Sequence, residues 1–422
     1  MQTRSAEFAI IGAGPAGAHL ASRLAAEGRD VVLFDPKGAW EKPCGGGVPT
    51  RAIREFAFIL ESSSYPRKLV RQITMISPLE RRVTLKLDEP FAVYSRQVLN
   101  GLVLDRAIEA GAEFVREGVS DFSREPDGWT VSTDAGNRWR SRFLVGADGA
   151  ASFTRRRLIG IFPKKDLALA FGYNIACADA DENPHSNGSE AQQRGPSMDE
   201  VVVRFPRDFT GYLWAFPRPG VMNFGVASKL GERTSGELRT LLIDFVRGYY
   251  GGSMPEAARV SFFGAKIPTL DLASWKDLRA SGDGWALIGD AAGFADPITG
   301  EGIYYAFKSA DLLADAVRHA HRTPDRHDTG ESQNGSSSIY HRAADSYETM
   351  WRHAFGRDLE HASFRLPHFY HGRFLGRIFT DATIRLARHH RGVRTILVRA
   401  LTGDQSYVTL KRDLLRRAWQ VF

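Results

Sequence analysis

Residues 8 to 35 read FAIIGAGPAGAHLASRLAAEGRDVVLFD. Phe8 to Ile11 is a short apolar strand. Pro15 to Glu27 carries Ala18, Ala21, Leu24 and Ala25 at helical spacing, and Asp30 to Phe34 is a second apolar strand. The pattern predicts a β-α-β unit with a parallel pair of strands. Gly12, Gly14 and Gly17 form GxGxxG at the strand-to-helix junction, where glycine permits a tight turn and lets a pyrophosphate approach amides at the helix start. Asp35 ends the second strand 18 residues after Gly17 and places a carboxylate to accept bonds from ribose hydroxyls. Dinucleotide binding through Gly12, Gly14, Ala16, Gly17 and Asp35 is therefore expected.

At 422 residues the chain exceeds one ordinary core, so two interleaved folding units with a helical extension are expected. A hydrophobic content of 43% and a charged content of 25% exclude disorder and fibrous classes. Two cysteines, Cys44 and Cys177, are too few for a disulfide framework or a zinc-type spacing. No metal site is expected, and a reducing, cytoplasmic setting is favoured. The opening run to Ala26 is broken by three glycines and His19, which reads as strand and turn rather than as a secretory signal. No stretch approaches about 18 uninterrupted apolar residues, so no membrane-spanning helix is expected.

Net charge is +7 and uneven. Arg352 to Phe422 holds fourteen Lys and Arg against five Asp and Glu, with six histidines, while the rest of the chain is slightly acidic. Phe369, Phe374, Ile378, Leu386, Ile396, Leu397 and Leu401 interleave with that charge. Such a segment suits peripheral contact with an anionic bilayer, docking of an acidic protein, or a plain solvated helical face. Nucleic acid is not expected, because no base-reading module accompanies the charge.

Apolar runs at Phe143 to Val145 and Trp285 to Ile288 read as further buried strands of the first sheet. Phe171 to Ala178, Glu200 to Phe205, Gly211 to Pro217 and Met222 to Ser228 alternate apolar and polar residues, which predicts an antiparallel, substrate-facing layer. Asp179 to Ser197 and Thr323 to Ser338 are rich in Gly, Ser, Asn, Asp and Pro and read as exposed loops.

Later segments decide which dinucleotide fits. Gly146-Ala147-Asp148-Gly149 and Gly289-Asp290 each follow an apolar run, and Asp290 is placed to bond a ribityl chain. Amides of Gly300, Gly302 and Ile303 open a helix through Ala306, Ala310 and Leu313. A helix start stabilises nearby negative charge by roughly 0.3 to 1 kcal/mol, and a reduced flavin carries its charge at the N1/O2 edge, so FAD is favoured over a nicotinamide.

GxGxxG with Asp35, Arg96, GADG at 146 to 149 and GDAAGFADPITGEG at 289 to 302 resemble the flavoproteins of the aromatic-hydroxylase fold. The resemblance implies contact of Arg96 with the FAD phosphate or ribityl region, and of the Val119 backbone with the adenine side. Lys42-Pro43-Cys44-Gly45-Gly46-Gly47 and Tyr212-Leu213-Trp214-Ala215-Phe216-Pro217 resemble the KPCGGG and YxWxFP motifs of the geranylgeranyl reductase family. Seven residues separate Pro217 from Gly225, where Gly225-Val226-Ala227 stands in place of the usual GxG.

The expected fold is α/β, a Rossmann-like FAD-binding domain with an interleaved antiparallel-sheet substrate domain and a helical C-terminal region. The FAD-binding part is assigned to 1–75, 96–170 and 260–322, the substrate part to 76–95 and 171–259, and the basic helical region to 340–422.

The resemblance implies hydrogenation of isolated C=C bonds in a prenyl chain, by hydride from reduced flavin and a proton. With no adjacent carbonyl to hold charge, positioning and exclusion of water must do most of the work. Gly45, Gly46 and Gly47 would let the isoalloxazine ring lie flat against a bare backbone. Tyr212, Trp214 and Phe216 share one strand face and suit either an apolar tunnel wall or a packed core. Cys44, Tyr212 and Trp214 are the catalytic candidates; an ordinary thiol titrates near ~8.5 and a phenol near ~10. The electron donor is open between NAD(P)H and ferredoxin. A flavin-dependent monooxygenase or halogenase on the same fold is the alternative, although YLWAFP departs from the WxWxIP expected of a halogenase.

Overall fold

The computed structural model describes residues 3–177, 197–322, 335–374 and 376–418. The chain divides into two units, the first combining Met1–Glu41, Gln97–Pro163 and Leu270–Glu360, the second Lys42–Arg96, Lys164–Thr269 and His361–Phe422.

In the first unit the strands run in the order Ser281–Gly282, Trp285–Leu287, Arg138–Gly146, Arg4–Ile11, Val31–Phe34, Glu113–Val115. Arg4–Ile11 pairs in parallel with Val31–Phe34 and with Arg138–Gly146, and the latter pairs in parallel with Trp285–Leu287. Helix Pro15–Ala26 is the crossover that a parallel pair requires. Phe8, Ala9 and Ile10 and all of Val31–Phe34 are buried, which is why these strands are unbroken apolar runs. The hairpin Val119–Glu125 and Gly128–Thr133 pairs antiparallel with the opening of Arg138–Gly146. Helix Ile303–Arg322 packs along Pro15–Ala26, and His19 Nε2 meets Asp311 at 2.9 Å.

The second unit is a mostly antiparallel sheet ordered Val260–Pro268, Leu167–Ala176, Val221–Lys229, Gly211–Arg218, Val201–Arg204, Arg67–Ile76, Arg82–Tyr94, Gly47–Val48. Among the described residues, only Val201–Arg204 and Arg67–Ile76 run parallel within it. Leu213, Ala215, Phe224 and Val226 turn one way and pack with Leu238, Leu242 and Phe245 of helix Ser235–Arg247. Each such large side chain contributes roughly 1.5 to 3 kcal/mol by leaving water. A capping box fixes that helix start: the Glu237 amide donates to Thr234 Oγ1, and the Thr234 amide donates to Glu237 Oε2. The opposite sheet face carries Tyr212, Trp214 and Phe216.

Several expectations change. Residues 42 to 75, assigned from sequence to the FAD-binding part, fall in the second unit, because Gly47–Val48 and Arg67–Ile76 pair with Arg82–Tyr94. Strand Leu167–Ala176 starts four residues before the expected one. The expected loop at 179–197 lies outside the described residues except for Ser197. The loop expected at 323–338 does so up to residue 334, and Gly335 to Ser338 already belong to helix Gly335–Trp351.

The basic C-terminal region is helical, but it is no free amphipathic blade. Helices Phe379–His389 and Arg391–Thr402 pack on strand Arg82–Tyr94. Asp381 is fully buried, accepting from Ser77 Oγ at 2.7 Å and Arg81 Nη1 at 3.2 Å. Ile396 and Leu397, read as lipid-facing candidates, are buried, while Phe364, Leu386 and Leu415 are exposed. No described helix is long and apolar enough to cross a membrane.

Candidate functional site

In the first unit three glycine-bearing segments converge. The Ala147 amide donates to the Ile11 carbonyl at 2.8 Å, and the Ile288 amide to the Gly146 carbonyl at 3.0 Å. Gly12 has φ +104°, and a Cβ there would stand 2.5 Å from the Ala147 oxygen; a Cβ at Gly17 would run into the Gly12 oxygen. Gly14, by contrast, faces open space, and helix Pro15–Ala26 begins there with neither a capping side chain nor an acidic residue in its first turn. A bare, positive helix start beside open space fits the pyrophosphate of a dinucleotide. Asp35 accepts from the amides of Ala13, Lys37 and Gly38 at 2.8–2.9 Å, which locks its carboxylate at the strand end. Val119 opens its strand beside Gly118, where a Cβ would lie 3.8 Å from Pro36, so this strand start borders the Asp35 turn.

Asp290 sits in the turn Gly289–Ala291, with Oδ1 3.0 Å from where a Gly302 Cβ would be. Ala16 is the nearest neighbour of a Cβ built on Gly289, so the first helix start and the Asp290 turn are adjacent. Ile303 opens helix Ile303–Arg322. Two further expected contacts have partners within the protein. The Gly300 amide donates to the Asp296 carbonyl at 2.8 Å, because residues 296 to 300 close a tight turn on the Asp296 carboxylate, which accepts from Ile298 and Thr299. Asp148 accepts from Ser152 and from the Thr154 amide and hydroxyl, so it organises the start of helix Phe153–Leu158. Burial pushes its carboxyl above the usual range despite these bonds.

In the second unit Cys44–Gly47 folds against strand Gly211–Arg218. A Cβ at Gly45 would lie 2.9 Å from Phe216 and 3.2 Å from Trp214 Nε1; one at Gly47 would lie 2.7 Å from Phe91 and 2.9 Å from Phe216. These glycines therefore admit aromatic rings of the sheet. Arg96 is buried at the start of helix Arg96–Glu109 with its guanidinium beside Cys44. Burial pushes the half-buried Cys44 thiol up, but Arg96, the Gly46 amide donating to Sγ at 3.3 Å, and Arg218 together bring it below its ordinary value.

Tyr212, Trp214 and Phe216 step along one face with neighbouring ring centroids 5.8 and 6.3 Å apart. Trp214 is buried, and its Nε1 donates to Asn223 Oδ1 at 2.7 Å; Asn223 Nδ2 in turn donates to Asn174 Oδ1 at 2.6 Å. Gly225 lies across from Trp214, where any Cβ would enter the indole ring. Ala227 lies across from Tyr212, so the departure from GxG adds one methyl to this face. Sequence reasoning missed Asn223, Asn174 and Arg218. The first stands two residues before Gly225 on the same strand face and so carried a usable signal; Asn174 became visible only through strand pairing. It also missed Glu301, whose carboxylate accepts from the Tyr304 amide at 2.7 Å at the helix start.

Residues 5–181 match the family model described as FAD binding domain. The chain is 31% identical over 320 residues to a geranylgeranyl diphosphate reductase of Rhodobacter capsulatus, covering 73% of this chain and 74% of that protein. It is 26% identical over 366 residues to a digeranylgeranylglycerophospholipid reductase of Methanosarcina acetivorans, covering 83% and 81%. In fold it is similar to the crystal structure of a geranylgeranyl bacteriochlorophyll reductase-like protein from Thermoplasma acidophilum, with TM-score 0.74, 19% identity, and 99% and 100% of the two chains covered. With the dinucleotide cradle in the first unit and the Cys44–Gly47 and YLWAFP segments in the second, the chain belongs to the geranylgeranyl reductase family of FAD-dependent oxidoreductases.

Proposed function

We propose that this protein saturates isolated C=C bonds of a geranylgeranyl-type chain carried by a lipid or a diphosphate. The observation that carries the reading is the glycine turn packed on Trp214 and Phe216, with Tyr212 beside them: an apolar face next to a thiol of lowered pKa. Bound FAD supplies the redox centre that carries hydride. Gly12, Gly14, Ala16 and Gly17 would hold its pyrophosphate, Asp35 its ribose, Val119 its adenine side, and Asp290, Gly302 and Ile303 its ribityl and pyrimidine side. Arg96 would meet a phosphate or ribityl oxygen, whereas Gly45 and Gly47 already face the rings of Phe216, Trp214 and Phe91, so the expected bare loop surface for the flavin ring is not kept on those faces.

The protein's own part in the reaction is to keep water off the alkene, hold it still and deliver a proton. Trp214, fixed by Asn223, and Tyr212 wall the chain; an apolar wall orients a substrate that offers no polar handle. Cys44 is the proton source we favour, because arginine neighbours make it a stronger acid than a free thiol. NAD(P)H or ferredoxin would reduce the flavin. The exposed Phe364, Leu386 and Leu415 and the surplus of arginine in the C-terminal helices support contact with an anionic membrane, from which a prenyl lipid would be drawn.

The test is anaerobic. The FAD-loaded protein is reduced with dithionite and mixed with geranylgeranyl phospholipid or geranylgeranyl diphosphate, while flavin absorbance and product mass are followed. Reoxidation with a gain of two hydrogens per double bond is expected. Flavin that stays reduced until oxygen enters would overturn the reading in favour of oxygenation. Sedimentation with vesicles containing anionic phospholipid, lost at high salt, is expected for the membrane contact.

A further inference from the structure

The geometry points to Arg218 as a positioning residue that sets the conformation of the Cys44–Gly46 turn and the direction of the Cys44 side chain. Arg218 is the last residue of strand Gly211–Arg218 and is 3% exposed. Its Nη2 donates to the Cys44 carbonyl at 2.5 Å and its Nε to the Gly45 carbonyl at 3.3 Å. Gly46 sits at φ +80°, and two of the turn's three residues lack side chains. The Tyr94 amide also donates to the Gly46 carbonyl at 2.9 Å, the Gly46 amide donates to Cys44 Sγ at 3.3 Å, and Arg96 stands beside the sulfur. A planar guanidinium reaches two carbonyls at once from a fixed fork, which an ammonium on a flexible stem does not reproduce.

Burial makes those bonds matter, since a buried guanidinium is retained only with its donors satisfied and its charge balanced. The groups facing Cys44 are Arg96 from the start of its helix, Arg218 from the sheet, and the Gly46 amide from the turn itself. Arg218 is thus both the clamp on the turn and the second positive charge beside the sulfur. The strand that supplies the aromatic face through Tyr212, Trp214 and Phe216 ends in the residue that aims the thiol, so a shift of that strand would move both together. This holds whichever acceptor the enzyme reduces.

The experiment uses the full chain carrying Cys177→Ser, so that Cys44 is the single thiol. The pH dependence of its alkylation by iodoacetamide is followed by mass spectrometry, with hydrogen exchange of peptides covering residues 44–46, in the parent, Arg218→Gln and Arg218→Lys. In Arg218→Gln the alkylation midpoint rises by about one pH unit, a roughly tenfold loss of thiolate below the midpoint, and the turn exchanges faster. Arg218→Lys keeps the charge but not the fork, so its midpoint lies between the two and its turn also exchanges faster. A folded Arg218→Gln with unchanged midpoint and exchange overturns the inference. Should that variant fail to fold, Arg218→Lys decides alone, and unchanged exchange at the turn overturns it. Because no prenyl substrate enters the assay, its failure is distinct from failure of the reductase reading.

Discussion

Gly12–Gly17 and Gly45–Gly47 look alike as strings of glycine, yet the two regions need that residue for different reasons. In the first, Gly12 and Gly17 admit backbone to backbone, while Gly14 borders open space at a bare helix start. In the second, Gly45 and Gly47 admit the rings of Phe216, Trp214 and Phe91, and Arg218 clamps what remains. One turn is shaped by the close approach of backbone to backbone; the other is shaped by side chains of the sheet. A glycine count reports that something approaches closely, and only the packing says what.

That contrast can be broken at chosen positions. Gly17→Ala should have the largest effect: its Cβ collides with a backbone oxygen that cannot move aside, costing about 3 kcal/mol or more, and the purified protein should lack flavin absorbance. Denaturant unfolding with a wild-type midpoint would remove the backbone contact from the argument. Gly225→Ala pushes into a side chain instead, which yields at a cost of about 1 to 3 kcal/mol; tryptophan emission should shift while FAD stays bound. Trp214→Phe keeps the apolar face but leaves Asn223 Oδ1 buried without its donor, a loss of about 1 to 3 kcal/mol. Turnover should fall with flavin content unchanged.

Gly14→Ala sharpens the comparison from the other side. With open space at this position, stability should change by less than about 0.5 kcal/mol. FAD binding, measured by titration of the apoprotein, should nonetheless weaken by about tenfold, or about 1.4 kcal/mol. The smallest effect concerns pH. The folded thiol of Cys44 lies below its unfolded value, so its contribution to stability is fully present above the unfolded value near ~8.5 and is lost as pH falls through the folded one. The destabilisation caused by Cys44→Ser should therefore be larger at high pH than at pH 6 in chemical denaturation. An equal loss at both would remove the thiolate from the argument.

Much of the first unit was legible beforehand. The parallel pair, the crossover helix and the placement of Gly12, Gly14, Gly17 and Asp35 follow from local periodicity and from one turn that tolerates little else. Less of the second was. The alternation along Gly211–Arg218 announced a two-faced strand, but not that its partner opposite Trp214 must be Gly225, nor that Asn223 and Asn174 hold the indole. Asp148 and Gly300 read as ligand contacts because their motifs are local, yet their polar atoms are engaged within their own turns. Nearby donors and acceptors compete for such atoms before any ligand arrives.

The sequence by itself determined the dinucleotide unit, the family and the aromatic face, because each rests on short-range spacing or on residues few others can replace. Tertiary structure decided where residues 42 to 75 belong, which C-terminal apolar residues are covered, and what Cys44 faces. Those outcomes depend on strand pairing and on charges brought together from Arg96 and Arg218, separated by more than a hundred residues of chain. No local pattern carries that information, since burial and electrostatic environment belong to the packed molecule and not to any segment of it.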